Sequence, residues 1–258
     1  MLKIISSILM PALFVLFPCY SEEKPQAGQS DFDPKKHEWA RFPVGAWVTL
    51  KATTTQKDRA DLEEIRTMKL DEKTNAYCKI DVYEGEIESV KKVESYYLVL
   101  KAPECARFGS PSKPKDGEND QPLRLIGEKS ILAIDKEVDC KVYEVGLSKP
   151  YVMRLHVSKN DGTLVLKQIG EFDREAEQFT EIEQEHLKNR DSQQEIAGRK
   201  ISCLHYQGTS IEGPRVELYR SQEVPGGIVL REATMMQDGV QIHRIRQEVM
   251  AWGLPKEK

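Results

Sequence analysis

The chain lacks an excess of positive charge. Its 258 residues include 38 Lys and Arg against 42 Asp and Glu, which gives a formal net charge of −4 and a pI near 5.9. A protein that binds nucleic acid needs a basic surface to neutralise phosphates, so we expect no nucleic-acid partner. The sequence also contains no Lys/Arg tract strong enough to hold the protein on an anionic membrane.

Recognisable catalytic signatures are missing as well. The sequence has no Gly-x-Ser-x-Gly elbow and no Cys within a protease motif. Residues 224–227 do not form a phosphate loop, because no Lys-Ser/Thr follows and the flanking segments resemble strands. We therefore predict no catalytic residue. A hydrolase using paired carboxylates from the acidic run 171–185 is an alternative, although the spacing of that run favours a solvated face.

Metal-ligand pairs are scarce. Cys203 and His205 form the one tight Cys/His pair, and the equivalent segment beginning at Cys140 has no His. Zinc usually needs four ligands in two close pairs, so neither a metal nor another cofactor is expected. His156 aligns with Tyr219 in a second copy of the same pattern, which favours a core or cross-strand role for this histidine.

The N-terminus resembles an export signal. Lys3 precedes an apolar run over residues 4–17 that is too short for a comfortable membrane span. Residues 1–21 are predicted to be a cleaved signal peptide, followed by a flexible leader over 22–38 that has few apolar residues. Lipidation of Cys19 is the alternative. The mature chain then contains no transmembrane segment.

Export permits disulfides, and four cysteines remain after cleavage. Cys140 and Cys203 occupy equivalent positions in successive repeats, so an open sheet would separate them by about 20 Å at ~4.8 Å per strand. A bridge needs Cα atoms within ~7 Å. We therefore predict a disulfide between Cys78 and Cys105, with Cys140 and Cys203 as buried thiols.

An internal repeat organises the second half of the chain. Cys203 follows Cys140 by 63 residues, and residues 241–250 match residues 178–187 in the same register. Repeated units that cannot bury a face alone predict one growing sheet. We expect a mostly β fold, a large curved antiparallel sheet resembling an unclosed barrel, with units of about four strands and few helices.

The predicted organisation follows from this repeat. A partial β repeat covers residues 39–105, and two better copies cover 130–194 and 195–258. Residues 106–129 are predicted to be a loop, for which a surface excursion is favoured over a domain boundary.

Three segments, 61–73, 174–188 and 240–252, have apolar spacing that also fits a helix. Strands are favoured for them, because the preceding strands need antiparallel partners.

The two better copies keep apolar residues at the same phase of each strand, which predicts one packed face and one wet face. Ser158 and Ser221 precede equivalent turns, so their hydroxyls are predicted to cap those turns. The residues predicted to form the apolar face are Met153, Leu155, Leu164, Leu166, Val216, Leu218, Ile228 and Leu230.

The segments 198–206 and 218–232 resemble secreted β-repeat proteins of planctomycete-type bacteria, as does the entry at 39–48. The strand–turn–strand pattern with Pro-Gly-Gly is also similar to the LolA/LolB-like lipoprotein-carrier fold. That resemblance covers 195–252, and more loosely 130–187 and the N-terminal third. It implies a curved sheet whose concave apolar face accepts acyl chains, and it supplies no catalytic residue. The carrier class often has a helix plugging this face, and no such helix is predicted here.

Together these features predict an exported, non-enzymatic β-sheet protein of the periplasm or cell envelope. Its partner is expected to be an apolar ligand, such as a lipid or acyl chain, or an envelope protein. A structural component in envelope assembly is the alternative. The oligomeric state, the identity of the ligand and the fate of Cys19 do not follow from the sequence.

Overall fold

The computed structural model describes residues 37–86, 91–99, 123–146, 150–173, 175–210 and 213–255. Within these residues the chain forms thirteen β-strands and no helix. The strands are β1 Trp47–Gln56, β2 Leu62–Lys73, β3 Tyr77–Glu84, β4 Lys91–Val99, β5 Arg124–Ala133, β6 Lys136–Gly146, β7 Tyr151–Ser158, β8 Leu164–Asp173, β9 Gln178–Ile196, β10 Arg199–Ser210, β11 Arg215–Arg220, β12 Ile228–Gln237 and β13 Val240–Gly253.

All thirteen described strands belong to one antiparallel sheet that does not close. Its order is β4-β3-β2-β1-β13-β12-β11-β10-β9-β8-β7-β6-β5, so β4 and β5 form the two edges. The first and last strands of the chain pair in the interior, where Trp47 lies opposite Gly253. This architecture confirms the predicted fold class.

The two faces of the sheet differ in character: one is apolar along most of the sheet, and the other is mainly polar but carries a buried apolar cluster that includes Ile131, Cys140 and Leu166. Residues directly opposite each other in a ladder share a face, so each face can be followed from strand to strand. Val48 and Leu50 of β1 define the apolar face, where Val48 lies opposite Met68. Thr49 points to the polar face and meets Thr67 through their hydroxyls at 2.8 Å.

The sheet is curved rather than flat. Strand β5 comes close to β8 and β9, which would lie about 14–19 Å away in a flat sheet with ~4.8 Å between strands. Met153, Leu155 and Leu187 on the apolar face are each at most 1% exposed. Side chains on a single flat layer would stay open to solvent, so curvature provides part of their cover.

The repeat predicted from the sequence corresponds to two similar four-strand units. We call β6–β9 the first unit and β10–β13 the second unit. Val157 pairs with Leu164 in the first unit, as Arg220 pairs with Ile228 in the second, and a β-bulge follows at the same place in both. This agreement is consistent with structural duplication.

The three ambiguous segments are strands, as favoured. They correspond to β2, to most of β9 and to β13. The last hairpin turns through Asp238 and Gly239, both at positive φ, as a two-residue turn between twisted strands requires. The apolar spacing of these segments imitates a helix partly because register shifts interrupt the alternation, for example between Leu70 and Glu72.

Two predicted boundaries need correction. Strand β5 begins at Arg124, inside the predicted loop 106–129, and the part of that loop before residue 123 lies outside the described residues. His37 and Glu38, assigned to the flexible leader 22–38, are ordered parts of the fold, and His37 is buried. The other domain boundaries stay predictions.

Candidate functional site

A groove with a volume of about 210 Å³ lies against the apolar face. Five strands (β1, β2, β4, β12 and β13), the turn between β11 and β12, and Trp39 contribute to its wall. The apolar and aromatic side chains that line it are Trp39, Val48, Leu50, Met68, Tyr96, Pro225 and Ile228. Gln247 of β13 is the one amide side chain in this lining.

The groove is closed at one end by residues 37–46, which we call the N-terminal strap. Trp39 of the strap is 1% exposed and packs into the largest hydrophobic cluster of the described residues. Arg220 holds the strap by donating from Nε to a Glu38 carboxylate oxygen at 2.9 Å. Lys73 donates to the carbonyl oxygens of Ala40 and Phe42 at 2.9 and 2.8 Å.

Two consecutive glycines make room for the strap. A Cβ at Gly226 would lie 3.0 Å from ring atoms of Trp39, and one at Gly227 would lie 2.5 Å from the Glu38 carboxylate carbon. Both glycines have positive φ, near +78° and +73°. The Pro-Gly-Gly turn therefore reverses the chain and also leaves the space against which Trp39 packs.

The groove contains few polar atoms. The Tyr96 hydroxyl contacts the Met68 sulfur at 3.3 Å. Burial, and to a lesser extent the negative charge of Glu94, raises the pKa of Tyr96, so the phenol stays protonated at neutral pH. A mostly apolar wall with one amide suits a hydrocarbon ligand better than a polar one.

A second groove of about 340 Å³ lies on the same face and is charged. Its lining residues are Glu64, Arg66, Glu84, Val93 and Glu94. Arg66 contacts Glu64 at 2.7 Å and Glu94 at 3.7 Å, and the three side chains are about half exposed. Exposed ion pairs of this kind add little to the stability of a protein, so these pairs contribute little to holding the sheet together.

The residues predicted for the apolar face fall into separate groups. Met153, Leu155 and Leu164 pack in one cluster, while Val216, Leu218 and Ile228 belong to another. The β-bulges turn Leu166 and Leu230 away from these residues, because Leu166 pairs with His156 and Leu230 with Tyr219. The prediction that Leu166 and Leu230 share the apolar face is therefore wrong.

Of the eight predicted apolar-face residues, Ile228 alone lines the groove in the described residues. Sequence reasoning missed Trp39, Leu50, Met68 and Tyr96. The alternation of β1 could have assigned Val48 and Leu50 to one face, but pairing of β1 with β13 joins residues about 200 positions apart. No local pattern carries that information.

Three cysteines are described, and all are buried free thiols. This confirms the prediction for Cys140 and Cys203. Cys78 carries no disulfide, so the predicted bridge to Cys105 is not found, and Cys105 itself lies outside the described residues. Burial raises the pKa of Cys78 to about 12 and that of Cys203 to about 11, which makes both thiols unreactive near neutral pH.

The Cys/His pair of β10 does not form a metal centre. Cys203 contacts its neighbouring Ile201 carbonyl oxygen, whereas His205 hydrogen-bonds Glu217 at 2.6 Å and stacks on Tyr219. Within the described residues, no three His, Cys, Asp or Glu side chains come together as metal ligands. The His205 contacts are cross-strand packing, whereas Cys203 is buried in the hydrophobic cluster that contains Trp39.

The turn-capping role of the two serines is confirmed. Ser158 accepts a hydrogen bond from the Asn160 amide at 3.3 Å, and Ser221 accepts one from the Glu223 amide at 3.2 Å. Both hydroxyls are thereby committed to equivalent turns of the two units.

The acidic run 171–185 is spread over both faces. Glu185 forms an ion pair with Lys167 at 3.1 Å on the apolar face, while Glu181 accepts a hydrogen bond from Gln168 on the polar face. Glu181 and Glu185 therefore do not face one substrate as a hydrolase pair would, whereas Glu183 shares the face of Glu185.

The segment predicted to be an export signal, including Cys19, lies outside the described residues. Among the residues that the structure covers, no helix is both long enough and apolar enough to span a bilayer.

No protein-family description and no curated protein matches this chain. Solved structures with a similar sheet include a LolA superfamily protein from Nitrosomonas europaea, which is 11% identical with a TM-score of 0.37 over 89% of this chain and 93% of that one. They also include a DUF1329 family protein from Desulfovibrio piger, 10% identical with a TM-score of 0.34 over 83% and 87%. A third is an outer membrane lipoprotein-sorting protein domain from Vibrio parahaemolyticus, 6% identical with a TM-score of 0.35 over 83% and 87%.

These structures include the lipoprotein-carrier class that the sequence resembles. Their identities are at most 11% and their TM-scores lie below 0.5. The likeness therefore shows neither a shared ligand nor a shared activity.

Proposed function

We propose that this protein is a non-enzymatic binding protein that takes the alkyl chain of an amphiphile into the groove beside Trp39. The observation that carries the proposal is the groove itself, in which seven apolar or aromatic side chains line a cavity with one amide side chain, Gln247. Ligand pockets of this composition bind by excluding water from hydrocarbon.

The volume limits what can enter. At about 210 Å³ the groove is smaller than the ~300–1,000 Å³ of pockets that enclose whole ligands. It holds roughly seven groups the size of a water molecule or a methylene, at ~30 Å³ each. One end of a single alkyl chain fits this space, and the remainder of the ligand stays outside.

The location supports the same class of ligand. An export signal over residues 1–21 would deliver the chain to the periplasm or envelope, where acyl chains are abundant. An apolar chain held against a curled sheet would be shielded from water on more than one side. The protein would then act as a lipid- or acyl-chain-binding component rather than as an enzyme.

Binding of an uncharged alkyl probe tests the proposal. Decyl maltoside titrated by calorimetry, below its micelle concentration, should bind the delipidated protein and change the fluorescence of Trp39. Ile228→Trp should fill the groove and weaken binding at least about tenfold, which corresponds to ~1.4 kcal/mol. Absence of binding to the wild type would refute the proposal.

Leu230→Trp is the matched control. Leu230 lies two residues from Ile228 on the same strand, but it faces the polar side opposite Tyr219. The same increase in side-chain size should leave the affinity unchanged there. Equal loss in both variants would point to general destabilisation, and melting curves of both proteins would reveal it.

Protein binding in the envelope is a second candidate, supported by edge strand β5. Leu125, Ile126 and Leu132 of this strand are 49, 43 and 71% exposed. An exposed apolar edge with unpaired backbone groups suits pairing with an extended partner segment. A photo-crosslinker at Leu132 should capture discrete envelope proteins, and capture of none would count against this candidate.

A further inference from the structure

The charged groove is a continuation of the apolar groove. Leu50, which lines the apolar groove, lies directly opposite Arg66, which lines the charged one. Directly opposite residues of an antiparallel pair have Cβ atoms about 4.5–5.5 Å apart. On β2, Met68 of the apolar groove follows Arg66 by two residues and shares its face. The two grooves therefore meet end to end.

Strand β4 shows the same change of character. Tyr96 lines the apolar groove, and Glu94, two residues earlier on the same face, lines the charged one. The carboxylate of Glu94 is close enough to contribute to the raised pKa of Tyr96, after the larger effect of burial. On this face the lining thus changes from apolar to charged side chains between residues that are two positions apart on β2 and on β4.

The lining of the charged groove is predominantly negative. Glu64, Glu84 and Glu94 supply three carboxylates, and Arg66 supplies the one cation of the lining. Lys91 lies opposite Glu84 in the strand pairing but does not line the groove. A positively charged group placed here would gain favourable interactions, and an anion would be repelled.

We propose that the ligand is a single-chain amphiphile with a cationic head group, with its alkyl chain beside Trp39 and its head among Glu64, Glu84 and Glu94. The inference rests on the proposed function and adds the chemistry of the head. Together the two grooves offer about 550 Å³, which falls within the ~300–1,000 Å³ of ligand pockets. The small apolar groove is then one part of a site of ordinary size.

Three probes with the same alkyl chain separate the head group from the tail. Decyltrimethylammonium should bind about tenfold or more tightly than decyl maltoside, and decanoate should bind more weakly than the maltoside. Because the carboxylates are half exposed, added salt should reduce the preference, as expected when the Debye length shortens below ~10 Å. Equal binding of all three probes would overturn the inference and leave the proposed function standing.

Single substitutions then assign the effect to the groove. Glu94→Gln and Glu84→Gln should each weaken decyltrimethylammonium binding about two- to fivefold, the usual size for an exposed charge pair, and leave decyl maltoside unaffected. Glu63→Gln is the matched control, because Glu63 precedes Glu64 but faces the polar side and contacts Lys51 at 2.6 Å. It removes the same charge from the same strand.

The result of the control decides between two explanations. If Glu63→Gln weakens the cationic probe as much as Glu94→Gln does, the preference reflects the net charge of the protein and the assigned site is wrong. If no decyl probe binds at all, the groove beside Trp39 is not a ligand site and the proposed function fails together with this inference.

Discussion

The two four-strand units have similar strand order and register, and the apolar groove lies against the second of them. In the second unit, the turn between β11 and β12 contains Gly226 and Gly227, on which the N-terminal strap rests. In the first unit, the equivalent turn contains Asp161. Burial alone would raise the pKa of Asp161, but hydrogen bonds from Thr163, Ser158 and Arg190 lower it to about 2.

The groove thus depends on features that the two similar units do not share. The second unit lies beside β1 and the strap, whereas the first unit ends at the open edge strand β5. The two glycines at 226 and 227 leave space for Trp39 and Glu38, whereas hydrogen bonds to Asp161 occupy the equivalent turn of the first unit. The groove therefore forms where a repeated element meets a segment that is not repeated.

Truncation of matched core leucines should have the largest effect. Leu155 of the first unit and Leu218 of the second are 0 and 5% exposed at equivalent positions. Leu155→Ala and Leu218→Ala should each lower the free energy of unfolding by about 2–5 kcal/mol. Urea denaturation measures both. A loss below ~1 kcal/mol at either position would show that the units do not bury the same face.

Replacement of Gly226, against which Trp39 of the N-terminal strap packs, by alanine should have an intermediate effect on the free energy of unfolding. Gly226 and Gly198 have nearly the same φ, +78° and +75°, but a Cβ at Gly198 meets nothing within 4 Å. Gly198→Ala should cost about 1–2 kcal/mol for the left-handed backbone alone. Gly226→Ala should cost a further ~1–3 kcal/mol, because the methyl group presses against Trp39. Equal losses of unfolding free energy for Gly226→Ala and Gly198→Ala in urea denaturation would show that Trp39 does not pack against this turn.

The smallest expected effect is on the pH dependence of stability, where the two units differ in one buried side chain. His156 of the first unit stands where the second has Tyr219. Burial lowers the pKa of His156 from 6.5, against the raising effect of its hydrogen bond to Gln168. The unfolded chain therefore binds a proton at higher pH than the folded chain, so this contribution to stability is present above pH 6.5 and is lost as the pH falls below it.

His156→Gln should remove part of this dependence. Glutamine keeps a polar group for Gln168 and does not titrate, so the variant should lose less stability than the wild type between pH 7.5 and 5. The pKa of His186 is also lowered, chiefly by burial, which is why some dependence remains. If urea denaturation gives the same loss of unfolding free energy between pH 7.5 and 5 for both proteins, His156 makes no contribution to the pH dependence.

Much of the architecture could be read from local patterns. Turn residues such as Asp238–Gly239 and the matched phases of Met153 and Val216 were sufficient to predict strands, hairpins and their repeated order. The β-bulges were not, because one extra residue reverses the side on which Leu166 and Leu230 point without changing the composition of the strand. The disulfide prediction for Cys78 failed because the spacing of cysteines does not reveal their distance in space.

By itself, the sequence determined that the chain would form a β-sheet with one apolar face, since alternation and turn chemistry act between near neighbours. Only the tertiary structure decided where a groove would lie. It placed Trp39, Met68 and Ile228 around one cavity by pairing β1 with β13 and by seating the strap on a glycine turn. Those contacts join residues far apart in the chain, and they form only when the completed sheet brings its first and last strands together.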